Sequence, residues 1–173
     1  MSPVTTSTPI ALNHLNTCDR PQFVAALGSI FEHSPWVAER AWERRPFASI
    51  DELHRAMVTA MLAATPDEKL SLLRAHPDLG TRLRMSDAST SEQAGAGLDS
   101  LTGDEFSRLQ RLNAEYREKF GFPFVFAVRG STKHDVLAAL ATRVTEAVES
   151  EWAEALRQVS RIAAFRLKET VTS

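Results

Sequence analysis

The chain has little of several things: one cysteine, one tyrosine, no long apolar run and no surplus of charge of either sign. The lone Cys18 cannot close an internal disulfide, and no Cys/His pair has zinc-ligand spacing, which excludes a disulfide scaffold and a structural zinc site. Twenty Lys and Arg stand against 22 Asp and Glu, mixed along the chain, for a formal net charge of −2. That balance excludes a field strong enough to gather nucleic acid or an anionic membrane surface. The longest apolar run, residues 122–128, falls far short of the ~18 residues of a membrane span. A Gly-x-Ser-x-Gly elbow and a Gly-rich phosphate loop are missing too, which argues against a serine hydrolase or a nucleotide site. Residues 1–9 are rich in Ser, Thr and Pro, without the basic and apolar regions of a signal peptide, and read as a flexible tail. The last residues, Val171-Thr172-Ser173, are not a Ser-Lys-Leu type address, so the cytoplasm is the expected location.

What remains is an ordinary globular composition, 43% apolar and 24% charged over 173 residues. A chain of this size buries about two-thirds of its unfolded surface in one core. With no repeat or linker, residues 10–170 are expected to form a single compact multi-helix domain, all-α in class.

Helix-start signals recur along it, because a Ser, Thr or Asp side chain there accepts backbone N–H bonds that have no helical partner. Asp19 with Pro21 opens a segment presenting Phe23, Leu27, Ile30 and Phe31. Ser34-Pro35 opens a short one with Trp36, Val37 and Ala41. Ser49-Ile50-Asp51-Glu52 leads into Leu53, Met57 and Met61, and Thr65-Pro66-Asp67-Glu68 into Leu70 and Leu73. The latter helix should stop near His76, because Pro77 removes a backbone donor and disfavours helical geometry at the residue before it. Thr102-Gly103-Asp104-Glu105 begins a stripe of Phe106, Leu109, Asn113, Tyr116 and Phe120 that ends at Gly121. Ser131 opens a stretch to about Lys168, with Val136, Leu140, Val144 and Val148 facing inward and a break near Glu149-Ser150. One segment reads as extended and buried, residues 122–129, and no second strand is available to pair with it. Its backbone groups must then find side chains, turns or a ligand.

Three stretches break the helical pattern with polar groups. His76 is either a capping histidine, whose cation suits a helix C-terminus, or a general acid or base near neutral pH. Ser89-Thr90-Ser91-Glu92 is a capping box, or a helix start that holds an anionic or amide oxygen while Glu92 and Gln93 read the donors of a polar heterocycle. Arg129, after the apolar run and before Gly130, makes an ordinary surface pair, or lays its stem on apolar neighbours and offers a guanidinium fork to a carboxylate or carbonyl.

The order of these pieces is more telling than any one of them. Phe31-Glu32-His33-Ser34-Pro35-Trp36, His76-Pro77-Asp78-Leu79, Ser89-x-x-Glu92-Gln93-x-x-Ala96-Gly97-Leu98, Asn113-x-x-Tyr116-x-x-x-Phe120-Gly121-Phe122-Pro123-Phe124-Val125 and Arg129-Gly130 follow in succession. With Arg161-Ile162 and Arg166-Leu167 near the end, the succession closely resembles the 2-oxo-4-hydroxy-4-carboxy-5-ureidoimidazoline (OHCU) decarboxylases, from about residue 12 to 168. The resemblance implies an all-α homodimer that acts without metal or organic cofactor and converts OHCU to (S)-allantoin and carbon dioxide. By motif position it implies His76 as the catalytic histidine, with Glu92 beside it in the chemistry. Substrate contacts are then expected from Pro77, from Ser89, Thr90, Ser91, Glu92 and Gln93, and from Val125, Phe126, Ala127, Val128 and Arg129. The chain departs from the family pattern at Gly80, where alanine is frequent, and in its own loop at residues 81–88. The competing classes are a non-catalytic helical interaction module and a hydrolase of a neighbouring ureide.

Overall fold

The computed structural model describes residues 7–80 and 87–173, with side chains from residue 89 onward in the second stretch. It is mostly helical, as the sequence implies, and the loop expected at residues 81–88 lies largely outside the described residues. The chain divides into two compact units: Met1–Thr65 with Ala163–Ser173, and Pro66–Ile162.

The first unit holds β1 (Ile10–Ala11), α1 (Leu12–Thr17), α2 (Arg20–Leu27), α3 (Trp36–Trp42) and α4 (Ile50–Leu62), and receives the end of the last helix and β2 (Val171–Thr172). The two short strands pair in parallel, Ile10 opposite Val171. Asp19 caps α2 in a reciprocal box with Gln22, and Ser49 caps α4 through the Glu52 amide. Ser34 does not cap α3 as expected; its hydroxyl donates to the Glu32 carbonyl at 2.9 Å, and Pro35 stands at the cap position. Ile30 and Phe31 are buried as expected, but beyond α2, whose last residue is Leu27. Phe23, Leu27, Phe31, Leu53, Met57 and Met61 are fully buried, each worth about 1.5–3 kcal/mol of transfer free energy. Within this core Arg166 meets the Glu32 carboxylate at 2.9 Å, a buried pair.

The second unit holds α5 (Pro66–Arg74), α6 (Asp87–Gly95), α7 (Gly103–Phe120), α8 (Lys133–Arg143) and the larger part of α9 (Val148–Thr170). Thr102 caps α7 with Glu105 closing the box, and Gly121, at φ +79°, terminates it in the left-handed conformation glycine adopts without strain. Leu109, Leu112, Asn113, Tyr116 and Phe120 form its buried face. The cap of α8 is Thr132 rather than Ser131, in a box with Asp135. The break in the C-terminal stretch comes earlier than Glu149-Ser150: the chain leaves α8 after Arg143 and re-enters a helix at Val148. Lys119 holds that turn by donating to the Val144 and Glu146 carbonyls, and Val148 is exposed instead of inward.

Candidate active site

All the expected site residues fall in the second unit. Helix α5 gives out at Arg74, and the His76 amide still donates to the Leu73 carbonyl before Pro77 ends the ladder. His76 is buried, at 7% exposure, and its Nδ1 lies 2.9 Å from the Leu72 carbonyl. A carbonyl only accepts, so Nδ1 carries the hydrogen in this contact. That contact fixes the ring in one orientation. His76 thus caps its helix through Nδ1.

Three contacts hold the turn that follows. Asn113 of α7 donates through Nδ2 to the Leu79 carbonyl at 3.0 Å, the Gly80 amide donates to Gln93 Oε1 of α6 at 2.9 Å, and Arg117 reaches Asp78 at 2.9 Å. The Asn113 contact is buried and the Arg117 pair is partly exposed, so the first carries more free energy. Gly80 sits at φ +71°, and a Cβ there would stand 2.4 Å from Leu109 Cδ2. The departure to glycine at this position therefore has a local cause in this chain: the backbone is left-handed and Leu109 fills the space. Past Gly80, a cavity of about 380 Å³ is lined by Leu98, Asp99, Leu101, Thr102, Gly103 and Phe106. None of the expected substrate contacts is in that lining.

Helix α6 corrects the reading of the second motif. Its described span begins at Asp87, so Ser89 is already within the first turn of the helix and is not its cap. Ser89 and Gln93, one turn apart, are both 5% exposed; Glu92, three residues from Ser89, is half-buried. Helical spacing puts these three on one face. Thr90 and Ser91 lie on the exposed side.

Residues 122–129 are neither helix nor paired strand, and among the described residues no strand joins them. The burial expected of this segment holds for Phe122, Phe124, Val125, Ala127 and Val128, while Phe126 is half-buried. Tyr116 of α7 supports it from within, its ring 5.9 Å from Phe122 and 5.4 Å from Phe124, both edge-on, the favoured aromatic geometry. Phe126 stacks on Phe124 at 5.8 Å. Two of its backbone groups are held from α8 and α9: Arg143 Nη1 donates to the Val125 carbonyl at 2.7 Å, and the Ala127 amide donates to Gln158 Oε1 at 3.0 Å. Arg129 is exposed, as its reading as an ordinary surface residue has it. The cause is local, since the Ser131 amide turns back to the Val128 carbonyl at 2.9 Å and Gly130, at φ +78°, lifts residues 129–130 outward.

Helix α7 therefore organises the site. Asn113 holds the turn after His76, and Tyr116, one helical turn on, backs the 122–129 segment. Asn113, Arg117, Arg143, Glu151 and Gln158 were not singled out as site residues from sequence. The available signal was polarity inside apolar stripes: Asn113 between Leu109 and Tyr116, and Gln158 between Leu156 and Val159. Among the described residues, no group of three His, Cys, Asp or Glu side chains lies together as metal ligands would.

The family model for OHCU decarboxylase matches residues 16–168. The chain belongs to the OHCU decarboxylase family. A 2-oxo-4-hydroxy-4-carboxy-5-ureidoimidazoline decarboxylase of Haloferax volcanii is 49% identical over 164 residues, covering 95% of this chain and 98% of that protein. The uric acid degradation bifunctional protein PucL of Bacillus subtilis is 44% identical over 161 residues, 93% of this chain and 33% of that longer protein. A crystal structure of (S)-allantoin synthase superposes with a TM-score of 0.78 at 37% identity, over 94% of this chain and 54% of that one. This chain spans about half the length of that solved structure.

Proposed function

We propose that this member of the OHCU decarboxylase family converts OHCU to (S)-allantoin and carbon dioxide, with His76 as the acid that sets the handedness of the product. The observation that carries the reading is the buried His76 at the end of α5, its Nδ1 committed to the Leu72 carbonyl, in a chain matched by the family model over residues 16–168.

Decarboxylation needs a sink for the electron pair of the breaking C–C bond. The substrate has one in the ring C=N bond next to the carboxylated carbon. As carbon dioxide leaves, the pair forms a C=C bond to the carbon bearing the ureido arm, and the former C=N electrons move to the ring nitrogen, which takes a proton. The product is an enol. His76 Nε2 then gives its proton to the ureido-bearing carbon from one face, while the enol hydroxyl passes its proton to Glu92, leaving a carbonyl. A general acid in position contributes about 10²–10⁴-fold. Ser89 and Gln93 share the Glu92 face of α6 and line the substrate with it, whereas Thr90 and Ser91, on the exposed side, contribute least. Pro77 closes one wall. The Phe126 main-chain groups and the Arg129 guanidinium orient the heterocycle and its polar arms.

The reaction is expected to run without metal or organic cofactor, in a cytoplasmic homodimer; no described helix is long and apolar enough to cross a membrane. The test is to supply OHCU from urate with urate oxidase and hydroxyisourate hydrolase and to follow optical activity. The enzyme should give a fast rise of the (S)-allantoin circular-dichroism signal. A racemic product formed at the rate of spontaneous decay, or ring opening without carbon dioxide release, would overturn the proposal.

A further inference from the structure

We infer that Arg143, Glu151, Tyr116 and Gln158 are positioning residues that set the place of the substrate-binding backbone at residues 125–127 from its inner side. The inference rests on the reading above, in which that backbone touches substrate.

A chain segment with no strand partner has no ladder to hold its register, so side chains must do it. Two ties are built here, at Val125 and at Ala127. A spacing of two is the repeat of an extended chain, so both ties lie on one side and the main-chain groups of Phe126, between them, are directed to the other. Among the described residues, the Phe126 N–H and C=O have no hydrogen-bond partner. The segment thus has an inner side that is tied down and an outer side of amide groups that a ureide, rich in donors and acceptors, can match.

The inner ties are themselves braced. Arg143 Nε donates to Glu151 Oε1 at 2.5 Å, the same oxygen accepts from the Tyr116 hydroxyl at 2.7 Å, and the guanidinium lies over the Phe124 ring at 4.5 Å. Glu151 is 1% exposed, and the side chain of Arg143 11%. Burial, reinforced by the hydrogen bond to Glu151, pushes the Tyr116 phenol above its ordinary range, so it stays a donor at any working pH. Gln158 is braced in the same way, its Nε2 donating to Glu154 Oε1 at 2.7 Å while Oε1 takes the Ala127 amide. A buried ion pair adds little to stability compared with apolar side chains of the same volume. What apolar side chains cannot do is fix a carbonyl at a set point, and this pair fixes Val125.

Two variants test the inference. Gln158→Met removes one tie with a side chain of similar size. The double variant Arg143→Met with Glu151→Leu removes the other without leaving a buried charge unpaired. Each should raise KM for OHCU by roughly tenfold, the equivalent of one lost hydrogen bond, and lower the enantiomeric excess of (S)-allantoin. The excess, measured with enough enzyme to outrun spontaneous decay, is the decisive readout, because a loss of folded protein then lowers the rate without changing the handedness made by the folded fraction. Arg143→Lys, which can still donate to Val125, should recover most of the excess. If folded Gln158→Met and the double variant keep the parent KM and excess, the inference is wrong while the functional reading stands. If the parent protein does not produce (S)-allantoin at all, the functional reading fails, and this inference with it.

Discussion

Replacing Asn113 with Leu probes the link between the α7 helix and the His76 turn. Leu has nearly the same volume, so packing changes little, but the Leu79 carbonyl loses the Nδ2 donor 3.0 Å away and stays buried. A buried carbonyl left alone costs about 1–3 kcal/mol. Part of that is offset, because Asn113 Oδ1 is itself buried without a hydrogen-bond partner and the substitution removes it. The net loss should be about 1–2 kcal/mol, which leaves a protein of ordinary stability folded. At this chain length each kcal/mol moves Tm by about 2–4 °C, so a fall of about 2–8 °C is expected. Activity should suffer more. Leu79 is three residues from His76, and a displacement of about 1 Å at a proton donor costs on the order of 10²-fold. A kcat/KM reduced roughly 10- to 100-fold, followed by circular dichroism on freshly generated OHCU, is the expected result. A lowered Tm with parent kcat/KM would refute the claim that this hydrogen bond holds the catalytic turn.

Other expectations concern single contacts. Arg166→Leu, which leaves Glu32 buried without its guanidinium, should destabilise by about 3–5 kcal/mol in urea denaturation, whereas Arg166→Met combined with Glu32→Leu should cost far less. Gly80→Ala should cost about 1–3 kcal/mol from the left-handed backbone and the contact with Leu109, and a parent-like urea midpoint would show that the turn relaxes freely. Lys133, then the Thr102 amide, pulls the Glu105 carboxyl down to about 2. Its folded value lies below its unfolded one, so the stability it contributes is complete above about pH 4.5 and is lost as pH falls toward 2. Lys133→Met should flatten the urea midpoint's dependence on pH across that window, and an unchanged slope would contradict the assignment.

The helices were legible in the sequence wherever caps and apolar spacing agreed, as at Asp19, Ser49, Thr102 and the stripe from Leu109 to Phe120. They were misjudged where a cap-like tetrad sat inside a helix, as at Ser89, or where a hydroxyl found a nearer carbonyl, as at Ser34. The three site segments could be found from motif order and from Pro77 and Gly130. What holds them could not, since the ties of Asn113 to Leu79, Gln158 to Ala127 and Arg143 to Val125 are contacts across 18 to 34 positions that no local pattern encodes. Arg129 shows the converse, its exposure being set by a turn at Gly130 that the neighbouring apolar run conceals.

The central claim is that His76 delivers the proton that makes the product (S). His76→Asn can keep the contact to the Leu72 carbonyl through its amide while removing the acid. Initial rate and optical activity of allantoin formed from fresh OHCU should be compared with the parent. A folded variant slowed by about 10²–10⁴-fold, whose allantoin is mostly the racemate of spontaneous decay, is the expected result. (S)-Allantoin made at the parent rate would contradict the account.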